Sequence, residues 1–331
     1  MRESTVLENT TEQFTPCRGF TVKPEAGRKI FVVALVCFLV VTILPWCIRF
    51  IGGADYCARI WDAKMSPASP IALINDIEVL GGMALVMWHS ITVKGTKRAL
   101  IAFFSVFFIA WFNEFLGTNY GLVFGPYHYT AAIPYHILGV PAIVAPAWEI
   151  ILYPAFYLSL YLMPSEVTDK VKSVGQKILT TLMISAVGAF IVTCNDMLRD
   201  PLWVQYGGWV WHTTGPYVSY LDTGEPISNF TGWLLVAFEI QITYHLILNS
   251  TPVERHIRSK YLDIYTPLLI YASGLTFGMA IELIFQRHAD VALIGIMTIG
   301  MVVLMVITKL YLEKQMSRPN PIGIMLSEKS L

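Results

Sequence analysis

Long apolar runs separated by short polar connections dominate this chain. A bilayer core about 30 Å thick needs about 20 apolar residues wound as a helix. Windows of that kind run roughly over 30–48, 70–93, 99–117, 138–163, 178–198, 230–248, 264–286 and 290–312. They predict an all-α, polytopic membrane bundle of about eight transmembrane helices. Several windows contain Pro or Gly, which membrane helices tolerate when neighbours satisfy the freed backbone groups. The fourth holds Pro141, Pro146 and Pro154, and a kink is expected there.

Basic residues orient the bundle. Arg18, Lys23, Arg28 and Lys29 precede the first window, and Lys94, Lys97 and Arg98 follow the second. Lys170, Lys172 and Lys177 follow the fourth, Arg255, Arg258 and Lys260 the sixth, and Lys314 and Arg318 the eighth. The other connections hold only Arg49, Arg59, Lys64, Arg199 and Arg287. An even span count puts every basic cluster on one side, so both termini are expected in the cytoplasm. The expected organisation is a cytoplasmic tail over 1–28, one transmembrane domain over 29–313, and a second cytoplasmic tail over 314–331. The polar start has no cleavable signal, so the run from Ile30 is read as an uncleaved first span.

Composition agrees. The chain is 55% hydrophobic and 14% charged, where soluble domains carry about 25% charged residues. Its formal net charge is zero, which argues against nucleic acid as a partner. The bilayer is the expected surroundings, and the sequence names no protein partner. Cys17, Cys37, Cys47, Cys57 and Cys194 are scattered, with no metal-ligand spacing.

An acid at bilayer depth costs several kcal/mol unless it is paired, neutral or wet, so each such residue is a functional candidate. Asp76 and Glu78 lie in the second window, Glu114 late in the third and Glu149 in the fourth. Asp196 and Asp200 end the fifth, Glu239 is in the sixth and Glu282 late in the seventh. In the orientation above, nearly all fall in the non-cytoplasmic half, with Glu149 and Glu239 nearer the middle. A shared polar cavity opening toward that face is the economical reading. Asp196 and Asp200 are four residues apart with Arg199 close to both, which is also the pattern of a salt-bridged helix end.

Two connections on the same side, 117–137 and 200–229, are poor in charge and rich in aromatics, Pro and Gly. An interfacial aromatic belt explains each Trp singly but not their density beside Asp196 and Asp200. They are read as a partly re-entrant lid.

A carboxylic acid kept neutral by an apolar pocket can protonate a carbon–carbon double bond. Aromatic faces then stabilise the tertiary cation, by about 0.5–2 kcal/mol each, and a second carboxylate orients water or removes a proton. The histidines form no di-iron cluster, and there is no HExxH, no GxSxG and no mid-span Lys. The Asn195-to-Asp200 segment is spaced NDxxxD, not NDxxD, and a second aspartate-rich motif is absent. No cofactor and no metal are called for.

The residues at these segments resemble a known family. One stretch runs from Glu114 through Gly117, Gly121 and Phe124-Gly125-Pro126-Tyr127-His128-Tyr129 to Pro141 and Trp148. The other runs from Asp196 through Asp200-Pro201, Trp209-Val210-Trp211 and Gly215-Pro216-Tyr217 to Asn229-Phe230-Thr231-Gly232-Trp233. The chain resembles the membrane carotenoid hydratases, the carotenoid biosynthesis proteins that add water to a ψ-end group. The resemblance implies cofactor-independent hydration of a lipophilic isoprenoid. It implies Glu114, Asp196 and Asp200 as the acid/base set and Asn229 positioning water. It further implies Tyr127, His128, Trp148, Trp209, Trp211, Tyr217 and Trp233 around the substrate. Asp76, Glu78, Glu149 and Glu282 are expected as supporting acids from their depth. Residues 218–225 are longer than the compact family turn, which keeps open a terpene cyclase using the same protonation. A proton-coupled carrier is a third reading, but the halves show none of the internal symmetry typical of transporters.

Overall fold

A backbone in hydrocarbon must satisfy its own N–H and C=O groups, so the apolar runs fold as helices. The structure, a computed structural model, describes residues 24–60, 70–163, 173–212, 215–218, 225–248, 260–273 and 289–316. Its elements are α1 (Pro24–Ile60), α2 (Pro70–Lys94), α3 (Thr96–Tyr120), β1 (Tyr127–Tyr129), β2 (His136–Ile137), β3 (Val140–Pro141) and α4 (Val144–Leu162). They continue with α5 (Val174–Gln205), β4 (Trp209–Trp211), β5 (Tyr217–Val218), β6 (Glu225–Pro226), α6 (Ile227–Leu248), α7 (Lys260–Tyr271) and α8 (Ala289–Met316). The all-α bundle expected from the apolar runs is what forms. Among the described residues, five helical segments are long and apolar enough to cross a membrane: Gly27–Pro45, Thr96–Tyr120, Val174–Val204, Ile227–Leu248 and Leu293–Gln315.

The helices turn apolar residues outward as well as inward. Val33, Val36, Val40 and Leu44 are exposed along α1, Ile101, Phe104, Phe108 and Phe112 along α3, and Leu293, Met297, Met301 and Leu304 along α8. Such continuous apolar stripes are rare on soluble proteins and are what lipid requires. The protein is therefore a membrane protein of several spanning helices.

The central helix is α4. It packs against α2, α3, α5 and α7, with α6 and α8 also in contact, and its run from Trp148 to Phe156 is buried without a break. Pro154 lies within it and removes one backbone donor, which a buried helix tolerates when neighbours compensate. The most extensive helix contact joins α5 to α6. A Cβ at Gly188 would stand 2.8 Å from the Gln241 side chain, and Gln241 donates across to the Leu152 carbonyl at 3.0 Å. A small residue at the crossing is the usual device in membranes.

Some boundaries differ from expectation. The fourth window opens not as helix but as the β2–β3 hairpin, with His136 opposite Pro141 and Ile137 opposite Val140, and α4 starts only at Val144. Helix α5 does not stop at Asp200 but runs through Pro201 to Gln205. The end of α3 is fixed by Gly121 in the left-handed region (φ 66). Its N–H donates to Gly117 O at 2.9 Å while Leu122 N–H reaches Leu116 O at 3.2 Å, closing off the helix carbonyls. Of the 264–286 window, the portion beyond Ser273 lies outside the described residues, and Glu282 with it.

Candidate active site

The chain alternates at two short stretches, Tyr127-His128-Tyr129 and Trp209-Val210-Trp211, and a strand has a side-chain period of two. These stretches are β1 and β4, paired antiparallel with Tyr127 opposite Trp211, His128 opposite Val210 and Tyr129 opposite Trp209. The four large aromatics therefore share one face, and that face walls a cavity of about 360 Å³. The opposite face carries Val210 and His128, whose Nδ1 meets His212 Nε2 at 2.5 Å with the rings stacked. His128 thus points away from the cavity, contrary to its expected place around the substrate.

The cavity sits at one end of the bundle, where α3 and α5 finish and α4 and α6 begin. Glu114, Asp196 and Asp200, from α3 and α5, all line it, and all are buried. Asn229, from the first turn of α6, ties the pair together: its Nδ2 donates to Asp200 Oδ2 at 2.6 Å and to Asp196 Oδ2 at 3.4 Å. Asp196 Oδ1 has no hydrogen-bond partner among the described residues. Glu114 lies within electrostatic reach of both aspartates.

Glu114 is held differently. It accepts from Tyr127 Oη, from Tyr129 Oη at 2.8 Å and from Trp148 Nε1 at 2.8 Å. Burial first, and Glu114 second, hold both phenols well above the usual tyrosine range, so each keeps its proton and donates. Gly117, one turn beyond Glu114, makes room for this: a Cβ there would stand 2.7 Å from the Tyr127 ring.

The remaining walls are aromatic. Trp148 and Trp233 stack with centroids 3.8 Å apart, and Trp203 stacks on Trp209. Arg199 and Asp76 also line the cavity. Glu78 and Glu149, expected as supporting acids, do not line it. Glu78 is buried where α2 meets α7 and accepts from Ser273 Oγ. Glu149 accepts from Tyr244 Oη at 2.6 Å, on a face of α4 away from the cavity. Glu239 is exposed on the outside of α6. Tyr217 pairs through its backbone with Pro226.

Three residues at the site were not singled out by the sequence. Tyr129 and Trp203 lay inside recognised segments without distinction from their neighbours. Glu225 lay in the longer 218–225 stretch. In the structure it is fully buried in β6, beside Asp200, Asp196 and Trp211. Burial first, then Asp200, push its carboxyl up to about 12 from a usual value near 4.5. The folded protein therefore binds a proton that the unfolded chain releases above about pH 4.5. That stabilisation is complete below the unfolded value and declines steadily as pH rises toward 12. Glu225→Gln keeps the neutral shape without this penalty. Its melting temperature in detergent should exceed wild type by a margin that grows by several degrees between about pH 5 and pH 9. A margin independent of pH would refute the assignment.

The family model described as "Carotenoid biosynthesis protein" matches residues 75–304. The chain belongs to that family. The matched region starts at Asn75 and contains the whole cavity except Ala72, so the site just described lies in the part the family shares. Family membership gives the protein a role in carotenoid biosynthesis. No curated protein and no solved structure matches the chain.

Proposed function

We propose that the protein hydrates a terminal trisubstituted alkene of a carotenoid-type polyene dissolved in the membrane. The observation that carries this reading is the meeting of Glu114, Asp196 and Asp200 in one aromatic-walled cavity. In the proposed reaction, the Asp196–Asp200 pair supplies a proton to the alkene carbon that bears hydrogen. The π electrons form the new C–H bond and leave a tertiary cation on the neighbouring carbon. Trp148, Trp209, Trp211 and Trp233 face that cation, each worth about 0.5–2 kcal/mol. Water positioned by Asn229 adds to the cation and gives its surplus proton to Glu114, which its three donors present as an acceptor. Proton transfer back to the aspartate pair restores the site, and the net change is addition of one water.

The unpartnered Asp196 Oδ1 makes Asp196 the member of the pair that faces the alkene. The β1–β4 ribbon serves as the lid. With basic clusters cytoplasmic, both termini are cytoplasmic and the cavity opens in the outer half of the bilayer. A second reading, a terpene cyclase, rests on Glu225: the stretch longer than the family turn delivers an additional acid to the site, where it can bear on how the cation is quenched.

The test is product analysis of membranes containing the protein, given an acyclic carotenoid in H₂¹⁸O. A tertiary alcohol carrying the heavy oxygen supports hydration. An unlabelled cyclic isomer transfers the assignment to the cyclase, and no conversion of any polyene overturns both.

A further inference from the structure

The cavity is small for the substrate class just proposed, on whose reading this inference rests. Its volume, about 360 Å³, is at the low end of the ~300–1,000 Å³ that enclose drug-sized ligands. An end group and the segment next to it fit; a long polyene does not. The remainder of such a molecule must leave through a wall, and the walls are not alike. Around most of the cavity the lining side chains are buried. Along α2 the wall opens: Ala72 and Asn75 are buried, but Asp76 is exposed, and Leu80 lines the cavity yet is 49% exposed. It belongs to an outward apolar stripe with Leu73 and Ile77, the face that lipid covers. Across the gap stand Ile143 and Val144 at the start of α4, both partly exposed, and Tyr135, 82% exposed.

We infer that the cavity takes one end of a linear isoprenoid sideways from the bilayer, through the gap between α2 and the start of α4, and leaves the rest of the chain in lipid. Recognition is then confined to the end group inside, and the far end is free to be acyclic, cyclic or oxygenated. A substrate with two reactive ends cannot present the second without leaving, turning round and re-entering. Its two hydrations are separate encounters.

Two measurements on the full-length protein in membranes test this. In a time course with a symmetric acyclic polyene, the singly hydrated product should accumulate to most of the converted material before the doubly hydrated one forms. Doubly hydrated product from the outset, with no single hydration preceding it, overturns the inference. Separately, Leu80→Cys is alkylated with a bulky maleimide after folding, each sample serving as its own unmodified reference, with Leu73→Cys as the control on the same stripe. Alkylation at position 80 should lower kcat/KM for the long polyene by 10-fold or more, as judged against about 1.4 kcal/mol per decade. It should spare a short acyclic terpene with the same end group, and alkylation at position 73 should spare both. Equal effects at the two positions, or equal loss on long and short substrates, contradict lateral entry. Wild-type protein inactive on every polyene would instead remove the hydration reading itself.

Discussion

Asp196→Asn is expected to lower turnover by about 10²–10⁴-fold, the usual contribution of a positioned acid, while leaving the protein folded and membrane-inserted. The substitution keeps the volume of the side chain and an oxygen for the long 3.4 Å contact from Asn229. It removes the only proton this residue can give. The shorter bond from Asn229 to Asp200, at 2.6 Å, is untouched, so the α5–α6 junction should hold. Steady-state kinetics beside a melting curve in detergent separates the two effects. Wild-type turnover in this variant would take Asp196 out of the mechanism.

Glu114→Ala should fail in a different way. Its carboxylate is the acceptor for Tyr127, Tyr129 and Trp148 together. Removing it strands three buried donors, each costing about 1–3 kcal/mol when left unsatisfied. Tyr127 and Tyr129 are also the inward residues of β1, so the β1–β4 ribbon loses its anchor to α3. The expected result is loss of activity together with a stability loss of a few kcal/mol, read as a lower melting temperature and faster proteolysis after Tyr120. Inactivity at unchanged stability would mean that Glu114 is chemically needed but does not hold the ribbon.

The contrast between these variants shows what the chain discloses before it folds. The apolar runs mark the helices because length and hydropathy suffice for a spanning segment. That Glu114, Asp196 and Asp200 lie at one level follows from depth, since alternating spans bring late positions of odd helices to one side. Depth says nothing about rotation. Glu78 and Glu149 fall in the right windows yet turn toward Ser273 and Tyr244, and only helix packing decides which way a residue faces.

The ribbon was harder to see. Tyr-His-Tyr and Trp-Val-Trp are too short to show a period of two against a background of Gly and Pro, so nothing in the sequence sets His128 apart from its neighbours, although it faces the other way. Residues 138–143 are apolar and adjoin a helix, and a short run of that kind does not distinguish strand from helix. Glu225 was hidden for another reason. It is distant in sequence from the acids it joins, and the pairing of Tyr217 with Pro226 and Val218 with Glu225 accompanies its place beside Asp200.

The central claim is that a proton held in the cavity is delivered to an alkene carbon, and carrying out the reaction in D₂O tests it most directly. The account predicts one deuterium per turnover in a non-exchangeable C–D bond, on the carbon next to the former cation, for hydrated and cyclised products alike. Product formed in D₂O without that carbon-bound deuterium would contradict it.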